Sequence, residues 1–225
     1  MRKTTCFTMC MALGLGPAVP NGLSAQVELY GVLARPVGAF SQSVGLFGGG
    51  GASVHFPVGR SGVFGLRFDA EIANYGHERY TVGVTSLVPQ AYVDVSTNNL
   101  VATAGIGPQI TLGFDAVRIY GFATVGTGWF GTVSSVSDRG WGDYGLGSSV
   151  NFSDLTYALA AGGGIAFALS RHVSLNFATK ITDYGDVWYL TRGRLRENLD
   201  GTVTVYPIRS SVTIHTMRLG IGIGI

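Results

Sequence analysis

From Gln26 onward, apolar side chains recur at every second position over runs of about ten residues. A strand turns such a run into one greasy and one polar face, because successive side chains point to opposite sides. The pattern is clearest from Val63 to Tyr75, where Phe64, Leu66, Phe68, Ala70 and Ile72 oppose Gly65, Arg67, Asp69, Glu71 and Ala73. Between Val173 and Tyr184, Val173, Leu175, Phe177 and Ile181 oppose Ser174, Asn176, Lys180 and Thr182. Eight strands are predicted, near residues 27–36, 44–57, 63–76, 99–112, 116–130, 154–169, 172–185 and 211–225. After Gln26 no stretch reaches the roughly 18 uninterrupted apolar residues of a membrane-spanning helix.

The links between the runs alternate in length. Short ones fall at 58–62, 113–116 and 170–172, and longer polar or Gly-rich ones at 37–43, 76–98, 131–152 and 186–211. Tight turns and both termini at one end, with larger loops at the other, are what an up-and-down barrel closed between its first and last strands requires. The non-apolar faces are mostly Gly, Ala, Ser and Thr with a few charges, which suits the cramped interior of an eight-stranded barrel. The bulky faces then meet lipid, where only closure satisfies every backbone group. The expected fold class is therefore all-β, a closed antiparallel up-and-down transmembrane barrel of eight strands. A soluble lipocalin-like barrel or sandwich, with its greasy face inward, is the alternative. Within the last long loop, 186–196 and 202–209 read as strand-like around the turn Glu197 to Gly201, where Asp200-Gly201 supplies the positive φ of a hairpin. A continuous β-ribbon above the barrel is expected there.

Composition sharpens this reading. Charged residues make up 12% of the 225, about half the share usual in soluble domains, so something other than a charged surface must keep the protein dispersed. A net charge of +2 on scattered Lys and Arg offers no basic stripe for a phosphate backbone, and nucleic acid is excluded as a partner. Residues 1–25 carry Arg2 and Lys3, an uncharged run from Cys6 to Val19, and the small-residue ending Leu23-Ser24-Ala25. They read as a secretory signal peptide cleaved after Ala25, leaving 26–225 as one barrel domain. Cys6 and Cys10 both lie in that segment, so the mature chain has no thiol chemistry.

The last eight residues, Arg218 to Ile225, follow the order polar, any, Gly, two of any, apolar, any, apolar. They resemble the C-terminal insertion signal of outer-membrane barrels, with Arg218, Gly220, Ile223 and Ile225 at its defining positions and Ile in place of the usual terminal Phe. With the leader and the strand count, the chain from Val27 to Ile225 resembles the OmpA/OmpX-type outer-membrane β-barrel family. Gly105 to Gln109, Asn198 to Gly201 and Pro207 to Ser210 look like stretches of its porin-like members. The resemblance implies a monomeric protein of a Gram-negative outer membrane. Its partners would be lipid, lipopolysaccharide and the barrel assembly machinery, and no shared reaction is implied.

Strand parity places Glu28, Arg67, Asp69, Glu71, Arg118, Lys180 and Arg218 in the lumen, where such groups desolvate cheaply only as hydrogen-bonded pairs. A charge network filling the barrel is expected, with Glu28 and Arg218 paired across the closing seam. Arg192, Arg194 and Arg196 alternate in the last long loop, and on extended backbone they would share a face able to grip lipopolysaccharide phosphates, although a solvated loop with Arg for solubility is the better reading. His172-Val173-Ser174 is similar to the His-x-Ser pair of lipid A deacylases, but lies beside a tight turn with no acid nearby in sequence, so a turn histidine is the better reading. Gly48 to Gly51 precedes no helix and no Lys-Ser/Thr pair, which removes a phosphate loop. Asp138, Asp143 and Asp154 lack the spacing of a calcium cassette. No cofactor, metal or catalytic residue is expected. The favoured function is non-enzymatic, in envelope structure or in surface interaction through the loops. A lipid A-modifying enzyme, a small-molecule or lipid binder and a narrow channel are the alternatives.

Overall fold

A computed structural model describes residues 25–59, 61–83, 92–114, 116–138, 145–197 and 203–225. The leader residues 1–24 and the turn residues 198–201 lie outside them. Eight strands close into an antiparallel barrel: β1 (Gln26–Val37), β2 (Phe47–Val58), β3 (Phe64–Gly83), β4 (Tyr92–Phe114), β5 (Val117–Asp138), β6 (Gly145–Ala168), β7 (Val173–Tyr189) and β10 (Ile208–Gly224). Two short strands, β8 (Leu195–Glu197) and β9 (Val203–Val205), pair separately. Closure is by β1 against β10, with Val27 opposite Ile223 and Val32 opposite Arg218.

Large apolar side chains stand exposed on the outer wall of every barrel strand, among them Leu29, Phe56, Phe68, Ile110, Ile119, Phe167, Phe177 and Ile221. A soluble barrel would turn these inward; a ring of them facing outward is the surface hydrocarbon covers. Among the described residues no helix is long and apolar enough to cross a membrane, which says nothing of strands.

β3 to β6 run for 20 to 24 residues, well past the 9–11 or so needed to cross a bilayer. The extra length projects at the loop end and exceeds the expected limits at 76, 99, 130 and 154. Those extensions carry too short an apolar alternation to betray them. Several of their contacts are polar: Thr97 meets Ser134 at 2.7 Å, Thr132 donates to Asn99 at 2.6 Å, and Asn151 donates to Ser134 at 2.6 Å.

The last long loop differs from the expected ribbon. β7 and β10 do pair beyond the apolar band, from Asp186 opposite Ser211 to Tyr189 opposite Ile208. The ladder then breaks at Leu190 to Arg194, because Leu190 turns inward and is buried and Gly193 adopts φ 72°. Pairing resumes only at Leu195 opposite Val205. Residues 37–43, expected as a plain link, form a single 3-10 turn over Gly38–Gln42.

Candidate functional site

The barrel interior is layered. At the loop end lies an apolar core of Val32, Ala34, Phe47, Tyr75, Phe130, Tyr184, Tyr189 and their neighbours. Phe40, carried inward by the 3-10 turn, is fully buried at its centre and meets Tyr189, Tyr75 and Phe130 edge-on at centroid distances of 4.9, 5.6 and 6.4 Å. This core adds a layer of large apolar residues to an interior expected to be mostly small residues with a few charges. Its aromatics sit at lumen parity, where small residues on facing strands leave them room: a Cβ at Gly128 would run into the Tyr184 ring.

Below it lies the charge layer. Arg218 of β10 makes a two-pronged contact with Asp69 of β3, Nη1 to Oδ2 at 2.7 Å and Nη2 to Oδ1 at 2.8 Å, and its Nη2 also donates to Glu71 at 2.6 Å. Lys180 of β7 lies 3.1 Å from Glu71 and 3.6 Å from Asp69. Arg67 donates to Asp69 at 3.1 and 3.2 Å, to Glu28 of β1 at 3.2 Å and to Gln109 at 3.1 Å. Ser53 donates to Glu28, and the Tyr30 hydroxyl donates to Asp69. Arg67 packs over Phe122 at 4.5 Å and Arg218 over Tyr30 at 4.3 Å, so the guanidinium faces as well as their edges are occupied. Three carboxylates thus meet three cations from four strands, all buried.

Six of the seven residues assigned to the lumen by parity come together here. Arg118 does not; it is half-buried on β5, nearer the short turns, in the wall of a separate chamber. The expected Glu28 to Arg218 pair is also corrected. The register sets Glu28 opposite Gly222 and Arg218 opposite Val32, four residues along β1, and Arg218 reaches Asp69 and Glu71 instead.

The remaining candidates separate in the fold. Arg192 and Arg194 are exposed on either side of the Gly193 turn, so extended alternation does not align them, and the side chain of Arg196 lies outside the described residues. His172 is exposed in a turn, whereas Ser174 is buried in the lumen, accepting from Gln26 at 2.9 Å and donating to Asn176 at 3.0 Å. Of the insertion-signal positions, Arg218 and Gly220 face the lumen and Ile223 and Ile225 face outward. Gly48 to Gly51 are ladder residues of β2 between β1 and β3. The Asp154 carboxylate accepts from the backbone of Leu155 and Trp188, while Asp143 and the side chain of Asp138 lie outside the described residues.

Sequence reasoning missed the apolar core and the chamber. Alternation with the wrong sign, bulky residues such as Phe130 and Tyr184 at lumen parity, was the available signal for the core.

No family model and no curated protein matches the sequence. Solved structures do. A major outer membrane protein from Thermus thermophilus matches at 13% identity and TM-score 0.52, over 89% of this chain and 99% of that one. Ail, the attachment invasion locus protein of Yersinia pestis, matches at 12% identity and TM-score 0.47, over 90% and 99%. Neisserial surface protein A matches at 16% identity and TM-score 0.40, over 88% and 96%. At such identities the likeness is one of fold, and the fold is that of the small outer-membrane β-barrels.

Proposed function

We propose that the protein is an integral outer-membrane barrel that acts without catalysis, as a rigid anchor holding its loop-end strands outside the bilayer for envelope structure or surface contact. The observation that carries this reading is the pairing of an apolar outer wall on all eight barrel strands with a lumen closed by a charge layer and an aromatic core. A wall of that kind belongs in lipid, and a lumen filled to that degree serves rigidity better than passage. The extensions of β3 to β6 beyond the apolar band supply the displayed surface. Export through a cleaved leader, insertion by the assembly machinery and a monomeric state belong to the same proposal. Outer-membrane lipid and lipopolysaccharide are its partners in this reading.

The test is fractionation followed by gel migration of the detergent-extracted protein with and without heating. The expected result is outer-membrane recovery and a heat-dependent shift in migration; recovery as an ordinary soluble protein would overturn the reading. A lipid A-modifying role would call for a His-Ser pair within hydrogen-bond reach, and Ser174 is instead engaged by Gln26 and Asn176.

A further inference from the structure

The outer wall carries a groove of about 600 Å³ across β4 to β7, ending on β10. Register explains it. Val125 lies opposite Leu159, Leu159 opposite Asp183, and Asp183 opposite Thr213, so the four share one outward row. In the next outward row toward the short turns, Ala123 lies opposite Ala161 and Ala161 opposite Ile181. Two adjacent methyl side chains among the exposed Val125, Leu159 and Ile181 leave the wall hollow. A hollow in a wall bathed by hydrocarbon is filled by hydrocarbon, because a void there forfeits dispersion contacts.

One end of the groove is charged. Asp183 stands ten residues beyond Val173 at the turn end of β7. With about 3.3 Å of rise per residue and a tilt of about 40°, it sits about 25 Å up the wall, where the apolar band gives way to headgroups. Ala123 is only six residues beyond Val117, so the groove descends from Asp183 into the band. The Asp183 carboxylate accepts from neutral groups, the Thr213 hydroxyl at 3.1 Å and the Tyr157 hydroxyl at 3.5 Å. Among the described residues no cation lies within ion-pair distance of it. His215, diagonal to it across β7 and β10, meets Thr179 at 2.7 Å instead. The next acid up the same strand, Asp186, has Arg209 at 3.9 Å. A carboxylate facing lipid without a cation is costly to keep, and its counter-charge has to come from outside the protein.

We propose that this groove binds a phospholipid with a primary-ammonium headgroup, one acyl chain lying along Ala123 and Ala161 and the ammonium donating to the Asp183 carboxylate. The proposal rests on the outer-membrane reading above and narrows the lipid partner to one headgroup. The charge-assisted hydrogen bond selects the headgroup, and the hollow supplies contact to the chain.

The experiment is native mass spectrometry of the full chain released from detergent micelles after incubation with dioleoyl phosphatidylethanolamine, phosphatidylglycerol or phosphatidylcholine, with one-lipid adducts counted. Phosphatidylethanolamine should bind about tenfold more tightly than phosphatidylglycerol, the scale of one hydrogen bond to a charged group. Phosphatidylcholine, whose quaternary ammonium has no N–H, should also bind more weakly. Asp183→Asn should remove the preference for phosphatidylethanolamine and leave phosphatidylglycerol binding unchanged. Ala161→Leu, which fills the groove, should weaken all three lipids, while Ala52→Leu, on β2 at the opposite wall, should change none. Heat-dependent gel migration reports which variants are folded, and its absence in the wild-type protein would overturn the outer-membrane reading itself. With the barrel intact, equal binding of phosphatidylethanolamine and phosphatidylglycerol overturns this proposal alone. So do an unchanged preference in folded Asp183→Asn, unchanged binding in folded Ala161→Leu, and protein dimers in place of lipid adducts. Should Asp183→Asn not fold, equal binding of phosphatidylethanolamine and phosphatidylcholine by the wild-type protein overturns it in the same way.

Discussion

Asp69 accepts from Arg67, Arg218 and Tyr30 and lies 3.6 Å from Lys180, so its charge is shared by every cation of the layer. Asp69→Asn leaves an uncompensated positive charge in a closed lumen and is expected to cost about 3–5 kcal/mol. Urea titration of the folded fraction, read by gel migration, measures it. Arg118→Gln removes a charge outside that network and should change the same stability by no more than about 1 kcal/mol. Space is as constrained as charge. A Cβ at Gly51 would run into the Ala70 carbonyl and lie 2.6 Å from the Tyr30 hydroxyl, so Gly51→Ala must displace the ring that covers Arg218. A loss of about 1–3 kcal/mol in the same titration is expected. At this scale parity alone identified which charged side chains enter the lumen. It did not identify which carboxylate meets which cation, because that depends on the register of strands distant in sequence, such as β1 and β10.

The 3-10 turn over Gly38–Gln42 exists to deliver Phe40. It lies among residues whose pattern reads only as a short link, and the aromatic groups it meets come from β3, β5 and β7. Phe40→Ala should cost about 3–5 kcal/mol, the range for removing a buried Phe, and the unfolding titration checks it. The loop after β7 is tethered in a second way: the Gly193 amide donates to the Glu78 carboxylate of β3 at 2.7 Å. Glu78→Ala is expected to accelerate tryptic cleavage after Arg192 and Arg194, with the fragments identified by mass spectrometry, while the barrel strands stay protected. Neither element was legible. A turn held by distant rings and a loop pinned by a distant carboxylate leave no local periodicity, and the extensions of β3 to β6 failed to show for the related reason that polar rungs interrupt their apolar pairs, such as Val133 with Val150, before a long alternation can build.

Taken as one body, the barrel has an apolar exterior, a polar chamber at the turn end, a neutralised charge layer and an aromatic core at the loop end. A continuous water path would have to cross both the charge layer and the core. Purified protein in planar bilayers is therefore expected to show no large, stable single-channel conductance. Steady openings of porin size would mean that the layers separate in lipid. Filling from within also explains how a chain with so few charges keeps the six of its charge layer buried: each lies within ion-pair distance of an opposite charge.

Alternation with period two, alternating link length and a bulky face too greasy for water determined the strand number, the closure and the lipid-facing surface, because these follow from local periodicity and from the need to satisfy every backbone group in hydrocarbon. The same parity placed Glu28, Arg67, Asp69, Glu71, Lys180 and Arg218 inside. Only the tertiary structure decided that Asp69 and not Glu28 takes Arg218, that Arg118 is left out of the charge layer, and that Phe40 seals the loop end. Those outcomes depend on shear and register around a closed barrel, which bring together side chains as far apart in sequence as Asp69 and Arg218, and no window along the chain contains both partners.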